Sequence, residues 1–243
     1  MSRLALKPLH YQKINMNHLM FFTGLLGDQE KMIERGDKNE ERLYLKDAVI
    51  GDTVFKKTFM LHIDEIIQRH KARYMLAAFF VRKGMKVLDF PCGSGYFSDI
   101  IKQFGVYYEG RDYDRTTLEF CRHFYSGTFI YGDLTNPDLC GLSYNLIACI
   151  EGIEHIEHKY QSRLIEAFYG ALKPNGILVI SSPVNPDNVS GPSKFNPYHK
   201  WELGKGDFYE LLMMVFNDVQ IIKTQEVLHN RRQSECLYGI CRK

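Results

Sequence analysis

The stretch Val87-Leu-Asp-Phe-Pro-Cys-Gly-Ser-Gly-Tyr96 decides the fold. Residues 85–90 are a short apolar run, Pro91 to Gly95 a turn, and Tyr96 to Phe104 a helical pattern. A strand–turn–helix unit of this kind lets a ligand approach bare backbone. A Gly-x-Gly pair alone satisfies the sterics of any tight bend, so its neighbours must give it direction. Ser98 stands where a dinucleotide fingerprint places its third glycine, which weakens a nicotinamide reading. Asp89 brings a carboxylate to the turn, where it repels a pyrophosphate but suits the ammonium of a methionine moiety.

Outward from this unit the hydrophobic period alternates. Val106 to Arg111 reads as a second strand, Arg115 to Phe124 as a helix, Gly127 to Tyr131 as a third strand and Tyr144 to Ile150 as a fourth. Gln161 to Leu172 is an amphipathic helix closed by the turn Lys173-Pro-Asn-Gly176, and Gly176 to Ser181 is a fifth strand. Phe208 to Phe216 follows as a helix, then Val219 to Thr224 and Glu235 to Cys241 as two strands. Upstream, apolar residues recur every three or four positions from Phe59 to Val81 and predict a helix. Strands alternating with helices imply a doubly wound, Rossmann-like α/β sheet covered on both faces. The last two strands have no helix between them, so one of them runs antiparallel. The ligand site is expected at the carboxyl ends of the strands, near the point where strand order reverses.

The 243 residues carry 31 Lys and Arg against 29 Asp and Glu, a formal +2, so no bulk basic field calls for nucleic acid. The early apolar run Leu19 to Leu26 is much shorter than the ~20 residues of a membrane span. Six cysteines without a Cys-x-x-Cys pair argue against a zinc knuckle and for a reduced, cytoplasmic setting. Residues 1–60, with interleaved charges from Gly27 to Arg42, form a separate charged or helical extension or lid, and 61–243 form the main domain. Arg231-Arg232 is the compact basic pair near the C-terminus.

Two more acids follow the next strands. Asp112 lies 19 residues past Gly93 in Gly110-Arg-Asp112-Tyr113-Asp114, and Asp133 stands in Gly132-Asp-Leu134. The first is suited to a ribose diol. The second is suited to an exocyclic adenine amine, with Leu134 covering the ring. Each acid alone is an ordinary turn or helix cap; three at successive strand ends are harder to explain that way.

These motifs, with Tyr144 to His158 and Leu172-Lys-Pro-Asn-Gly-Ile-Leu178, resemble the class I S-adenosylmethionine-dependent methyltransferases in order and spacing over about residues 65–241. The resemblance implies a seven-stranded sheet with an antiparallel last strand, and S-adenosylmethionine as cofactor. It assigns Asp89 and the Gly93–Gly95 turn to the methionine part, Asp112 to the ribose, and Asp133 with Leu134 to the adenine. The wider candidate cofactor set adds Pro91, Cys92, Ser94, Tyr96, Tyr113, Glu151, Arg73 and Tyr74. Asn145 departs from the Asp common in the family, at a position read as structural. More loosely, His70 to Tyr74 and Asn196 to Glu202 resemble segments of glycan-biosynthesis methyltransferases.

For the acceptor, Glu151-Gly-Ile-Glu154-His155 follows the fourth strand, and a helical turn there would place Glu151, Glu154 and His155 on one face. Residues 183–200 hold four of the eight prolines, read as a functional cover, and carry Tyr198 and His199. A hydroxyl acceptor must lose a proton, for which His155 is the first candidate base and His199 the second, with Glu154 beside them. The expected acceptor is a sugar (glycan) or small-molecule hydroxyl, with oligomeric state open.

Glu151, Glu154, His155 and His199 also resemble the two-Glu, two-His metal set of small-RNA 2′-O-methyltransferases. The Glu-x-x-Glu-His segment resembles quinone-biosynthesis O-methyltransferases. Both suggest a divalent ion such as Mn or Mg. An RNA acceptor has weaker support, since no basic stripe with stacking aromatics is evident. A cofactor-binding module without catalysis is the alternative from another class.

Overall fold

A computed structural model describes residues 12–14, 71–185, 187–194, 196–227 and 233–243. Most of the 1–60 extension, the first part of the Phe59–Val81 helix and Arg231-Arg232 lie outside the described residues.

The strands are β1 (Gln12–Ile14), β2 (Lys86–Asp89), β3 (Tyr107–Asp112), β4 (Thr128–Tyr131), β5 (Tyr144–Cys149), β6 (Leu172–Pro183), β7 (Asp218–Val227) and β8 (Gln233–Arg242). They form one sheet in the order β1-β7-β8-β6-β5-β2-β3-β4. β8 runs antiparallel to both β6 and β7; all other pairings are parallel. The seven strands β2–β8 match the expected sheet, and β1 adds an eighth from the N-terminal extension. That piece of the extension is a strand, where a helical or charged lid was expected. Strand order reverses between β2 and β5, so Asp89 pairs with Gly110 on one side and Ala148 on the other.

Helices cover both faces: α1 over residues 71–79, α2 (Tyr96–Ile101), α3 (Arg115–Phe124), α4 (His158–Ala171) and α5 (Lys205–Met213). One face packs Tyr74, Phe97, Leu118 and Cys121 on the sheet. The other packs Leu164, Phe168, Phe208 and Leu212. Asp114 caps α3, its carboxylate accepting from the Thr116 and Thr117 amides at 2.8 and 3.3 Å. A cap of this type is worth ~1 kcal/mol.

Two boundaries differ from the sequence reading. The Tyr96–Phe104 helix tightens into a 3-10 turn over Lys102–Phe104, closed by Gly105 at φ 59°. The Lys173–Gly176 turn lies inside β6, with Asn175 at φ 60° and a shift of register against β5 between Tyr144 and Leu146. Asn145 is structural as read: its Oδ1 accepts from the Lys86 amide at 2.9 Å and Lys173 Nζ at 3.0 Å. Among the described residues no helix is long and apolar enough to cross a membrane.

Candidate active site

Parallel strands deliver their carboxyl ends to one edge, and the predicted acids stand there. Gly93 and Gly95 both have positive φ, 48° and 81°, which glycine adopts without the cost other residues meet. Their surroundings differ. A Cβ added at Gly93 would meet nothing within 4 Å, so this backbone faces open space. At Gly95 it would lie 2.7 Å from the Tyr125 ring and 3.0 Å from Cys121 Sγ, so this glycine is needed for packing on α3.

Asp112, 1% exposed, accepts from the Gly93 amide at 3.0 Å and the Asp114 amide at 2.9 Å, so the tip of β3 braces the turn after β2. Asp89 is fully buried. Its Oδ2 accepts from the Tyr108 hydroxyl at 2.7 Å, while Oδ1 has no hydrogen-bond partner. Burial, with the charge of Asp112 adding to it, pushes the Asp89 carboxyl well above the ordinary range against the opposing Tyr108 hydrogen bond and the nearby Tyr74 hydroxyl. Tyr74 stacks on Phe97 at 5.1 Å. Burial and then the charge of Asp89 raise its phenol, which puts Tyr74 beside that acid.

Cys92 and Tyr96 are turned into the core, so their side chains do not line the open face of the bend. Ser94 is buried as well. Leu134 joins the core around Leu88 and Phe90. Asp133 Oδ1 accepts from the amide and hydroxyl of Thr135 at 2.8 and 2.7 Å, the turn-capping role open to any acid there. Tyr113 lies exposed at the rim, its ring 5.7 Å from Tyr131.

The acceptor side is built by the turn after β5 and the cover after β6. A side chain at Gly152 would collide with the Pro91 ring, so this turn presses directly on the glycine bend. The turn is 3-10 over Ile153–His155 and leaves Glu151 outside it at φ 51°. Glu151 therefore does not share a helical face with Glu154 and His155. It faces Arg73 Nη1 at 3.6 Å, Ser181 Oγ at 2.9 Å and Cys236 Sγ at 3.1 Å. Burial drives its carboxyl up, but Arg73, the Cys236 and Ser181 hydrogen bonds and His199 outweigh burial and hold it below the ordinary range.

Glu154, His155 and His199 do converge, each offering one ligand atom within 4.8 Å of the others. Of the four residues read as a candidate metal set, these three come together, while Glu151 lies toward Arg73, Ser181 and Cys236. Glu154 is fully buried with neither carboxylate oxygen hydrogen-bonded. Burial first, then the charge of Glu151, pushes its carboxyl well above the ordinary range.

The cover bonds directly to this turn. The Lys200 and Trp201 amides donate to the Glu154 carbonyl at 2.7 and 3.1 Å, and Gln161 Nε2 bridges the Ile153 and Trp201 carbonyls. His155 Nδ1 lies 3.2 Å from the Tyr198 carbonyl. A carbonyl only accepts, so in the neutral ring Nδ1 carries the proton and Nε2 is the basic nitrogen. The rings of His155 and His199 meet edge to face at 4.9 Å. Sequence reasoning missed Tyr108, which needs the β2–β3 register to be found. It also missed Glu202 as the partner of His199, although their three-residue spacing was available.

A doubly wound sheet with its last strand reversed, an acid-braced glycine bend and a polar group across the switch point define an S-adenosylmethionine-dependent methyltransferase domain. A family model described as a methyltransferase domain matches residues 63–214, and the chain belongs to that family. It is 29% identical over 147 residues, 60% of this chain and 56% of the relative, to a probable S-adenosylmethionine-dependent methyltransferase of Mycolicibacterium smegmatis. It is 33% identical to a small RNA 2′-O-methyltransferase of Gallus gallus over 84 residues, covering 33% of this chain and 22% of that one. A ubiquinone biosynthesis O-methyltransferase of Haemophilus ducreyi is 28% identical over 41% of this chain and 45% of its own. The matches thus span about half or less of these relatives' lengths. Among solved structures, a SAM-dependent methyltransferase from Archaeoglobus fulgidus superposes with a TM-score of 0.62 at 19% identity, covering 72% of this chain and 94% of that one. That likeness supports the fold.

Proposed function

We propose that the chain transfers a methyl group from S-adenosylmethionine to a hydroxyl of a sugar or small-metabolite acceptor. The residues fit the cofactor: Gly93 offers bare backbone to open space, and the buried, unpartnered Asp89 Oδ1 suits a cationic donor. Asp112 at the β3 tip is assigned to the ribose, and Asp133 with Leu134 to the adenine. S-adenosylmethionine supplies an electrophilic methyl group; what remains for the protein is to hold the acceptor in line and remove its proton. Positioning of this kind is worth up to ~7–11 kcal/mol.

The observation that carries the assignment is the fixed ring of His155. Its Nδ1 is held on the Tyr198 carbonyl, leaving Nε2 as the base, on a turn seated against the glycine bend. His155 takes the hydroxyl proton, and His199 and Glu154 receive or share it. The test is S-adenosylhomocysteine release with a panel of sugar and small-metabolite alcohols, and NMR of the product. An O-methyl ether supports the reading. An N-methyl product, or tight cofactor binding with no turnover of any acceptor, overturns it.

A second reading has its own observation, the two unpartnered oxygens of buried Glu154 beside two imidazoles. An oxygen and two nitrogens suit Mn or another divalent ion. Glu154, His155 and His199 would hold it, and a bound ion would polarise the acceptor hydroxyl. The small-RNA and ubiquinone O-methyltransferase relatives are O-methylating enzymes and so agree with either reading. Loss of activity on exhaustive chelation, restored by Mn(II), selects the metal; full activity after chelation removes it.

A further inference from the structure

Glu202 has no part in the roles assigned so far, yet it joins them through both its side chain and its main chain. It is buried, 5% exposed, and its Oε1 lies 2.7 Å from His199 Nδ1. Its main chain is fixed on the opposite side of the cover: its amide donates to the Gly191 carbonyl at 2.8 Å and its carbonyl accepts from the Gly191 amide at 3.0 Å. The next residue, Leu203, forms a bridge with Val184 at the end of β6. The preceding two amides hold the Glu154 carbonyl. Residues 200–203 thus tie the cover to the sheet, to the turn after β5 and to the His199 ring.

We propose that Glu202 is a positioning residue that fixes His199 in the tautomer protonated at Nδ1. A carboxylate oxygen accepts, so the nitrogen facing it carries the proton and the ring keeps its lone pair on Nε2. His155 Nδ1 faces the Tyr198 carbonyl in the same way, so the same tautomer is favoured in both rings. One ring faces a main-chain acceptor and the other the Glu202 carboxylate. This rests on the reading that Glu154, His155 and His199 serve the acceptor, and it adds the residue that prepares one of them.

The test uses the full chain as wild type, Glu202→Gln and Glu202→Ala. Long-range proton–nitrogen NMR correlations of the His199 ring report the tautomer without any substrate. Wild type and Glu202→Gln, whose amide oxygen still accepts, are expected to carry the proton on Nδ1. Glu202→Ala is expected to move part or all of it to Nε2. Mn(II) titration or methyl-transfer turnover should fall ~10–100-fold in Glu202→Ala and recover in Glu202→Gln. A His199 tautomer unchanged in Glu202→Ala overturns the proposal, whatever the acceptor proves to be. A changed tautomer with turnover and Mn(II) affinity both intact also overturns it. If the tautomer moves as stated but no hydroxyl is methylated by wild type, the functional reading fails and the positioning of His199 stands.

Discussion

Asp112 at the tip of β3 and Glu154 in the turn after β5, both buried at the strand-tip edge, are held in opposite ways. On the β2–β3–β4 side, Asp112 and Asp133 each accept from nearby amides, and Asp114 caps the following helix. On the β5–β6 side, Glu154 is just as buried but neither of its oxygens has a partner. Asp112 is bound into its own turn, whereas Asp89 on the same side keeps Oδ1 unpartnered, the atom the proposed cofactor reading uses. Glu154, beside His155 and His199, is left to be completed by a proton, a substrate or an ion, while Glu151 on the same side is held by Arg73, Ser181 and Cys236. Unsatisfied buried polar groups cost stability, and they persist where function uses them.

The largest effect expected from this contrast is on turnover. His155→Ala should lower kcat by about 10²–10⁴-fold while leaving S-adenosylhomocysteine affinity near wild type, measured by steady-state kinetics and calorimetry. A matching loss of cofactor affinity would show that the two halves are not separable.

Stability should change with opposite sign on the two sides. Asp112→Ala leaves the Gly93 and Asp114 amides without their acceptor and should destabilise by ~1–3 kcal/mol. Glu154→Met removes an unpartnered buried acid and should stabilise by a similar ~1–3 kcal/mol at the cost of activity. Thermal melts of both variants check this, and a lower melting temperature for Glu154→Met would break the comparison.

A smaller effect concerns pH. The folded-state pKa of Asp89 is raised by burial above its unfolded value. Between those two values the native state holds a proton that the unfolded chain has released. The stabilising effect of protonated Asp89 is therefore complete below the ordinary carboxylate pKa and is lost as pH rises through the folded one. Asp89→Asn should flatten that decline in a series of melts at increasing pH. The smallest effect lies far from both halves: Asn145→Ala should cost ~1 kcal/mol through the acceptor lost to the Lys86 amide and Lys173 Nζ, without changing kcat.

The order of elements from β2 onward was legible because the strands are short apolar runs separated by turn residues, and the helices between them carry a three- to four-residue period. The β3, β4 and β5 boundaries fall within a residue of the sequence reading for that reason. Asp89, Asp112 and Asp133 were legible as a set, since their positions depend only on strand ends. What escaped the reading depends on three-dimensional pairing. Glu151 was grouped with Glu154 and His155 by helical spacing, but a single residue at φ 51° puts it on the Arg73 side. Tyr108 reaches Asp89 only through the register of β3 on β2. The joining of the cover to the 153–155 turn depends on main-chain bonds at Lys200 and Trp201, which no side-chain pattern reports.

Calorimetric titration of wild type and Asp112→Ala with S-adenosylhomocysteine, below the melting temperature of both, addresses the donor half most directly. Tight one-to-one binding by wild type, weakened about 10²-fold by loss of charge-assisted hydrogen bonds worth ~3 kcal/mol, is the expected result. Equal affinity in the two folded proteins, or no binding by wild type, would contradict the assignment of this edge to an adenosyl-amino-acid ligand.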